Sequence, residues 1–121
     1  DFLGKVNLFQ GRIDNGVARL GGVRLATPTS ISGGDGPAVG YVRAHDIEIS
    51  RHGNGSESIA AQVRGVLRVG PLVRVDLLHA GGEQLEVDLS RDAAERLALQ
   101  AGEQVFAHPR NVRFFVNDYQ I

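Results

Sequence analysis

The sequence predicts a mostly β domain made of OB-like small barrels with one short helix. Three observations indicate this class: 16 of the 121 residues are glycine, apolar and polar residues alternate through the second half, and one stretch has helical periodicity. Glycine permits tight turns, and a period of two is typical of strands with one buried face. We expect a single domain over residues 1–121, which could consist of two interdigitated halves, 1–50 and 59–121.

The first half of the sequence indicates a strand, a tight turn and several further short strands. A strand is expected at KVNLFQGRI, residues 5–13, followed by a turn at 14–16 whose glycine takes positive φ. Further short strands are expected at VARL, VRLAT and AVGYVR. Loops rich in Pro, Gly, Ser and polar residues occupy 28–37 and 51–58, and the second is the best boundary between the halves.

The second half predicts a three-stranded antiparallel meander with one buried face. Turns are expected at Gly70-Pro71 and at HAGGE, residues 79–83. Alternation places three sets of residues on the buried face: Val63, Leu67 and Val69 in the first strand, Val73, Val75 and Leu77 in the second, and Leu85, Val87 and Leu89 in the third.

One amphipathic helix is predicted at residues 90–102, SRDAAERLALQAG, where it should close one end of a barrel. Ser90 is the expected N-cap, Asp92 lies in the first turn, and Gly102 is the expected stop. The segments EQVFAHP and VRFFVND should then close the same sheet. Strand, turn, strand, turn, strand, helix, strand is the connectivity of an OB-like barrel.

Composition argues against several classes of function. The chain has no cysteine, which excludes disulfides and thiolate metal sites. A formal charge of -1 supplies no global positive field for a phosphate backbone. No apolar run approaches the roughly 18 residues of a membrane span, and the first ten residues lack the form of a signal peptide.

Motifs for catalysis or metal binding are missing from the sequence. No Gly-Lys-Ser or Gly-Lys-Thr ends a glycine-rich loop, and no serine lies in a Gly-x-Ser-x-Gly elbow. The four histidines, His45, His52, His79 and His108, are scattered without the spacing of metal ligands. We expect no catalytic residue, metal or cofactor in this chain.

The stretch YVRAHDIEIS, residues 41–50, contains the first candidate cluster, Arg43, His45 and Asp46. A histidine beside a carboxylate could act in acid–base chemistry. A turn or an interface with a neighbouring domain explains the same residues without catalysis, and we favour it.

A second candidate is the turn RVGPLVR, where Arg68, Gly70 and Arg74 could contact an anion or a partner. An ordinary solvated hairpin is the favoured alternative. Arg113 also shares a predicted strand face with Phe115, as in an OB-type binder of single-stranded nucleic acid. The balanced charge argues against nucleic acid as a partner.

Long phrases of the sequence carry a family resemblance. The phrases FLGKVNLFQGRI and VGYVRAHDIEIS, and the segment from VRGVLRVGPLVRVDL to AHPRNVRFFV, resemble the C-terminal region of the ATP-binding subunit of bacterial sulfate/thiosulfate ABC importers. The resemblance covers the chain almost end to end and implies a regulatory domain of the TOBE type. The sequence departs from the family at Ala44, where proline is usual and would hold Arg43 extended.

The resemblance implies a regulatory and dimerisation module that is not itself an enzyme. ATP and Mg²⁺ would be bound by a nucleotide-binding domain upstream of Asp1, which fits the missing phosphate loop and initiating Met. The implied partners are that domain, a second copy of the subunit and the membrane permease subunits. The implied location is the cytoplasmic face of the inner membrane, and RAHDIEI becomes a structural elbow.

Sulfate or another oxyanion stays open as a ligand. Similar barrels in molybdate-transport relatives bind the oxyanion, but the Ser-Ala-Arg-Asn phrase typical of those binders does not occur here. Besides a regulatory domain, the sequence therefore leaves two alternative functions open: a stand-alone module that binds molybdate or sulfate, and an OB-type binder of single-stranded nucleic acid.

Overall fold

The computed structural model describes residues 6–20, 23–26, 35–53, 58–79 and 81–116. These segments form strands, one 3-10 turn at Ala44–Asp46 and one α-helix, which confirms the predicted mostly β class. The strands are β1 Val6–Asp14, β2 Val17–Leu20, β3 Val23–Ala26, β4 Gly36–Arg43, β5 Ile47–Ser50, β6 Ile59–Val69, β7 Leu72–His79, β8 Gln84–Ser90, β9 Gln104–Pro109 and β10 Arg113–Val116; the helix is α1 Arg91–Leu97.

The strands form two antiparallel sheets that exchange strands along the chain. The first sheet has the order β10-β4-β1-β2-β3, and the second has the order β5-β9-β6-β7-β8. β5 directly follows β4 in sequence but pairs with β9, so the chain changes sheet at residues 44–46, before the polar break at 51–58.

The expectation that VRFFVND closes the second sheet is wrong. β10 pairs with β4 of the first sheet, with Arg113 opposite Tyr41 and Val116 opposite Ala38. After β9 the chain passes through Asn111, whose φ of 54° is in the left-handed region. Phe114 in β10 then packs against the hydrophobic core of the domain.

The first hairpin shows how the sequence fixes the local geometry. Asp14 pairs with Val17, so Asn15 and Gly16 alone form the turn between β1 and β2. Their φ values of 53° and 77° are those of a type I′ turn, for which Asn-Gly is the preferred pair. The predicted turn at 14–16 is thus confirmed.

Both sheets contribute to one hydrophobic core. The faces predicted for the second and third meander strands are confirmed, since Val73, Val75, Leu77, Leu85, Val87 and Leu89 are all buried. Residues of the first sheet pack into the same cluster: Phe9, Ile13, Ala18, Ala38 and Val42. The crossing segment at 44–46 contacts β8 of the second sheet, and Ala44 is fully buried.

The predicted face of β6 is wrong beyond Val63. Val63 pairs with Leu77, but Gly65 pairs with Asp76, so a bulge adds one residue to β6 at this point. An extra residue reverses which side chains face the core. Leu67 is therefore 65% exposed and Val69 is 38% exposed.

The helix is shorter than predicted. Ser90 caps it as expected, because its hydroxyl accepts a hydrogen bond from the Ala93 N–H at 3.1 Å. It ends at Leu97 instead of near Gly102, because Ala98 adopts the left-handed conformation and donates its N–H to Ala94. Arg51 also donates a hydrogen bond to the Leu97 carbonyl at 2.7 Å and completes the C-terminal cap.

Candidate functional site

The sequence-predicted elbow is the point at which the chain passes from one sheet to the other. Arg43 ends β4 with φ -74° and ψ 148°, Ala44–Asp46 form the 3-10 turn, and Ile47 begins β5. The Asp46 carbonyl accepts a hydrogen bond from the Arg110 N–H at 2.7 Å, which fixes the elbow to the end of β9. Arg43 has the extended conformation that a following proline would impose, although Ala44 is present.

His45 and Asp46 do not form a hydrogen-bonded acid–base pair. The distance from His45 Nε2 to Asp46 Oδ1 is 3.8 Å, which is longer than a hydrogen bond. The His45 side chain is exposed to solvent, so burial does not strengthen the interaction. The geometry supports a turn role for these residues and supplies no dyad for proton transfer.

A cleft of about 440 Å³ opens beside the elbow. The described residues that line it carry two guanidinium groups, one carboxylate, an amide, a phenol and an aliphatic side chain. These residues are Val6, Tyr41, Arg43, Asp46, Asn111 and Arg113. The elbow supplies only two of these residues, and the others come from β1, β4, β10 and the segment that leads into β10.

Strand pairing brings the two arginines of the cleft to one surface. Arg113 lies directly opposite Tyr41, and Arg43 is two residues further along the same face of β4. Such diagonal neighbours have Cβ atoms roughly 7–8 Å apart, within reach of long side chains. Neither guanidinium forms an ion pair within the described ranges, and Arg43 does not pair with Asp46.

The structure does not bring the second candidate set together. Arg74 lies opposite Leu67, whereas Arg68 lies opposite Val73, so the two arginines are on different faces of the hairpin. The Arg74 guanidinium makes two hydrogen bonds with the carboxylate of Asp88, at 2.8 and 3.0 Å. These bonds raise the pKa of Arg74, and they occupy the group that an anion would need. Gly70 has φ 61° and forms the turn itself.

A serine–histidine contact lies outside every motif noted in the sequence. Ser50 Oγ is 2.8 Å from His108 Nε2, but the hydroxyl also donates to the His52 carbonyl at 2.8 Å. A hydroxyl has one proton, so Nε2 must donate to Ser50 and cannot act as its base. The contact therefore joins β5 to β9 and does not activate a nucleophile.

The described residues lack two features that other functions would require. They contain no group of three His, Cys, Asp or Glu side chains placed to hold a metal ion. No helix among them is both long and apolar enough to span a membrane.

Two protein families match successive parts of the chain, and they meet at residues 50–52, after the change of sheet at 44–46. Residues 7–49 match the family described as the CysA C-terminal regulatory domain, and residues 53–110 match the TOBE-like domain. Together the two matches cover most of the first four strands, the elbow and the second sheet.

Individual relatives match the chain over almost its whole length. The sulfate/thiosulfate import ATP-binding protein CysA of Nitrosomonas europaea is 37% identical over 123 residues, which cover 99% of this chain and 34% of that protein. Proteins of the same name are 41% identical in Bacillus cereus and 40% identical in Burkholderia pseudomallei, covering 96% and 95% of this chain and 33% and 32% of theirs. The chain thus spans about one third of the length of these relatives.

A solved structure has the same fold. The cytoplasmic molybdate-binding protein ModG, crystallised with molybdate bound, superimposes with a TM-score of 0.72 over 91% of this chain and 95% of its own. The two sequences are 19% identical, so the similarity concerns the fold. Together with the match to the TOBE-like domain, it confirms the predicted architecture.

Proposed function

Because this chain belongs to the family of CysA C-terminal regulatory domains, we propose that it regulates an ATP-binding subunit that powers bacterial sulfate and thiosulfate import. The observation that carries the proposal is the extent of the match. Nearly the whole chain aligns with proteins named for this import, and it covers about one third of their length.

In this proposal ATP hydrolysis takes place outside the chain. The sequence contains no Gly-Lys-Ser or Gly-Lys-Thr phosphate loop, so the Mg²⁺ and ATP of the importer would be bound by a nucleotide-binding domain preceding it. The chain itself would be no enzyme. It would lie with that domain on the cytoplasmic face of the inner membrane.

Regulation would act on the arrangement of two ATP-binding subunits. A domain that contacts one arrangement more favourably than another shifts the equilibrium by the difference in free energy. The exposed apolar residues Leu8, Val66 and Leu67 support contacts of this kind. The partners we propose are the domain's own nucleotide-binding domain, a second copy of the subunit and the permease subunits.

The gene that encodes this chain provides the test. We expect the open reading frame to encode a phosphate loop upstream of Asp1, and the full-length subunit to restore uptake of radiolabelled sulfate in a strain without its own importer ATPase. A full-length subunit with the phosphate-loop lysine replaced by alanine is the matched control and should not restore uptake. An open reading frame that begins near Asp1 would contradict the proposal and favour a stand-alone oxyanion-binding module.

Removal of the region then tests regulation. A subunit that ends before Asp1 should retain ATP hydrolysis while its rate of sulfate uptake no longer responds to the sulfate concentration inside the cell. If uptake by the shortened subunit responds as it does in the full-length subunit, the region has no regulatory role.

A further inference from the structure

We propose that the outer face of the first sheet binds an acidic amphipathic helix of a separate protein. This outer face consists of the outward side chains of β1, β2, β4 and β10, with Val6 and Arg43 at one end and Arg12 and Arg19 at the other. The proposal goes beyond the proposed function, because the partner is none of the importer's own subunits.

One end of the outer face carries a row of like charges. Arg12 of β1 lies directly opposite Arg19 of β2, and the strand pairing continues to Arg24 of β3, directly opposite Arg19. Arg12 and Arg19 are both exposed. Directly opposed residues have Cβ atoms about 4.5–5.5 Å apart, so like charges in these positions destabilise a sheet. An arrangement that lowers the stability of the free domain favours a role in binding over a role in folding.

Little of this charge is neutralised within the described part of the chain. The distance from Arg12 Nε to Asp14 Oδ2 is 3.9 Å, and these side chains are 59% and 47% exposed, so the attraction is weak. Arg19 has no ion-pair partner among the described residues. Asp35, beside the same turn, accepts the Asn15 N–H. Asp14 is the one acidic residue among the described outward side chains of these four strands, so carboxylates of a partner would meet unsatisfied positive charge.

An aliphatic surface lies on the same face. Val6 is 46% exposed and Leu8 is 60% exposed, and both side chains point outward from β1. Val6 lies opposite Arg43, and Leu8 lies opposite Tyr41, which in turn lies opposite Arg113. Exposed apolar side chains with a charged rim are typical of protein interaction sites. The backbone of a nucleic acid would pair with the arginines but leave this aliphatic surface in water.

The dimensions of the outer face suit a single helix. Val6 and Arg12 are six residues apart in β1, which corresponds to roughly 20 Å along the strand and to a helix of about 14 residues. A leucine stripe on such a helix would cover Val6 and Leu8, while glutamates beside the stripe reach the arginines at both ends. A second copy of the same face is a poor occupant, because a two-fold interface would bring the arginines of both copies together.

The composition of the outer face also favours a partner that binds and dissociates. Permanent subunit interfaces resemble a domain core, whereas this face combines four described arginines with only two strongly exposed aliphatic side chains. Complementary charge mainly accelerates association and selects the partner. We therefore assign the face to a separate protein instead of an importer subunit.

The free domain provides a first test that needs no partner. Arg19→Glu converts a repulsive pair with Arg12 into an attractive one, so it should raise the urea midpoint of unfolding. Arg68→Glu is the matched control: Arg68 is exposed and lies opposite Val73, so the same change in net charge should leave the midpoint unaltered. If Arg19→Glu does not raise the midpoint, the arginines do not oppose each other in the free domain and the proposal is overturned.

Binding is measured by the fluorescence anisotropy of a labelled synthetic helix of about 14 residues, with leucine on one stripe and glutamate on both sides of it. We expect saturable binding to the 121-residue chain that weakens as salt is added. Kd should rise about tenfold or more in the Arg12→Gln/Arg19→Gln double variant and in Leu8→Gln, whereas Arg68→Gln should bind as the unchanged chain does. The same peptide with lysine at every glutamate position should not bind.

Equal binding of the lysine peptide, or equal affinity in all variants, would overturn the proposal. Tighter binding of a single-stranded oligonucleotide or of phosphatidylglycerol vesicles than of the acidic peptide would also overturn it, in favour of those partners. The full-length subunit is titrated in parallel, and loss of peptide binding there would show that the subunit itself covers the face. The proposed function is tested by sulfate uptake, so it can fail or hold independently of these results.

Discussion

The side-chain amide of Asn7 pairs with the backbone of Glu86 in both directions. Asn7 Nδ2 donates to the Glu86 carbonyl at 2.9 Å, and the Glu86 N–H donates to Asn7 Oδ1 at 2.9 Å. Glu86 lies in β8, the edge strand of the second sheet, and Asn7 lies in β1 of the first. The amide thus satisfies two backbone groups of an open edge and joins the sheets there.

Asn7→Asp should lower the free energy of unfolding at pH 7 by about 1–3 kcal/mol. The substitution keeps the size of the side chain but places a carboxylate against the Glu86 carbonyl, and Asn7 is only 7% exposed. Gln10→Glu, which makes the same chemical change on the exposed face of β1, should have little effect. Urea unfolding of both variants provides the measurement, and equal losses would show that the Asn7 contact is unimportant.

Asp88→Asn should destabilise the domain by about 2 kcal/mol, because a hydrogen bond to a charged group contributes on this scale. Asp88 is 6% exposed, and its carboxylate accepts both hydrogen bonds from Arg74. Asparagine cannot accept both, and it leaves the guanidinium without its counter-ion. Asp76→Asn, on the exposed face of neighbouring β7, is the control. If both variants unfold at the same urea concentration, the buried ion pair contributes nothing.

Local patterns were sufficient to predict the elements whose contacts are close in sequence. Alternation identified the buried faces of β7 and β8, and Ser90 followed by Asp92 identified the start of the helix. These features depend on side chains within a few residues of each other, so the sequence pattern contains them directly.

Features set by distant pairing could not be predicted in this way. The bulge that follows Val63 reverses the face of Leu67, and the alternation of β6 itself contains no sign of it. The phrase at 41–50 identified the elbow. The cleft, however, requires Arg113, which reaches Tyr41 only because β10 crosses to the first sheet. An exchange of strands between sheets is a long-range property that periodicity does not encode.

Ala98→Gly should raise the free energy of unfolding by about 0.5–1 kcal/mol, because glycine avoids the Cβ strain of the left-handed conformation. Ala98 has φ 48° and ψ 51° at the C-cap of α1 and is exposed. Ala101→Gly is the matched control: Ala101 is also exposed but has no positive φ, so glycine should only add freedom to the unfolded chain and destabilise it. The same sign for both changes in urea unfolding would contradict this explanation.

The free energy of unfolding should decrease at acid pH, in part because Glu103 becomes protonated. Hydrogen bonds from the Arg51 side chain, and then from the Gln100 N–H, hold the pKa of Glu103 below its usual value. A lowered pKa in the folded state gives stability that is fully present above the ordinary glutamate pKa of about 4.3 and is lost as the pH falls through the folded value.

Glu103→Gln should therefore flatten the acid limb of a plot of unfolding free energy against pH. Glu95→Gln, on the exposed face of α1, should leave the limb unchanged. Urea unfolding at several values between about pH 3 and pH 7 measures both slopes. Equal flattening in the two variants would assign the effect to total charge instead of the contact with Arg51.

Ala44→Pro should stabilise the domain by about 0.4–1 kcal/mol, mainly by restricting the unfolded chain. Arg43 already has the extended backbone that proline imposes on the preceding residue, and Ala44 is the first residue of the 3-10 turn, where a missing N–H costs least. The opposing effect is overpacking, because Ala44 is fully buried.

Ala38→Pro is the control: Ala38 pairs with Gly11 on one side and Val116 on the other, so a proline there removes a hydrogen bond from the sheet and should be strongly destabilising. If Ala44→Pro destabilises the domain as Ala38→Pro does, the space around the elbow, and not its backbone angles, determines the change in the free energy of unfolding. If it stabilises, the elbow already holds Arg43 in the extended conformation that proline imposes.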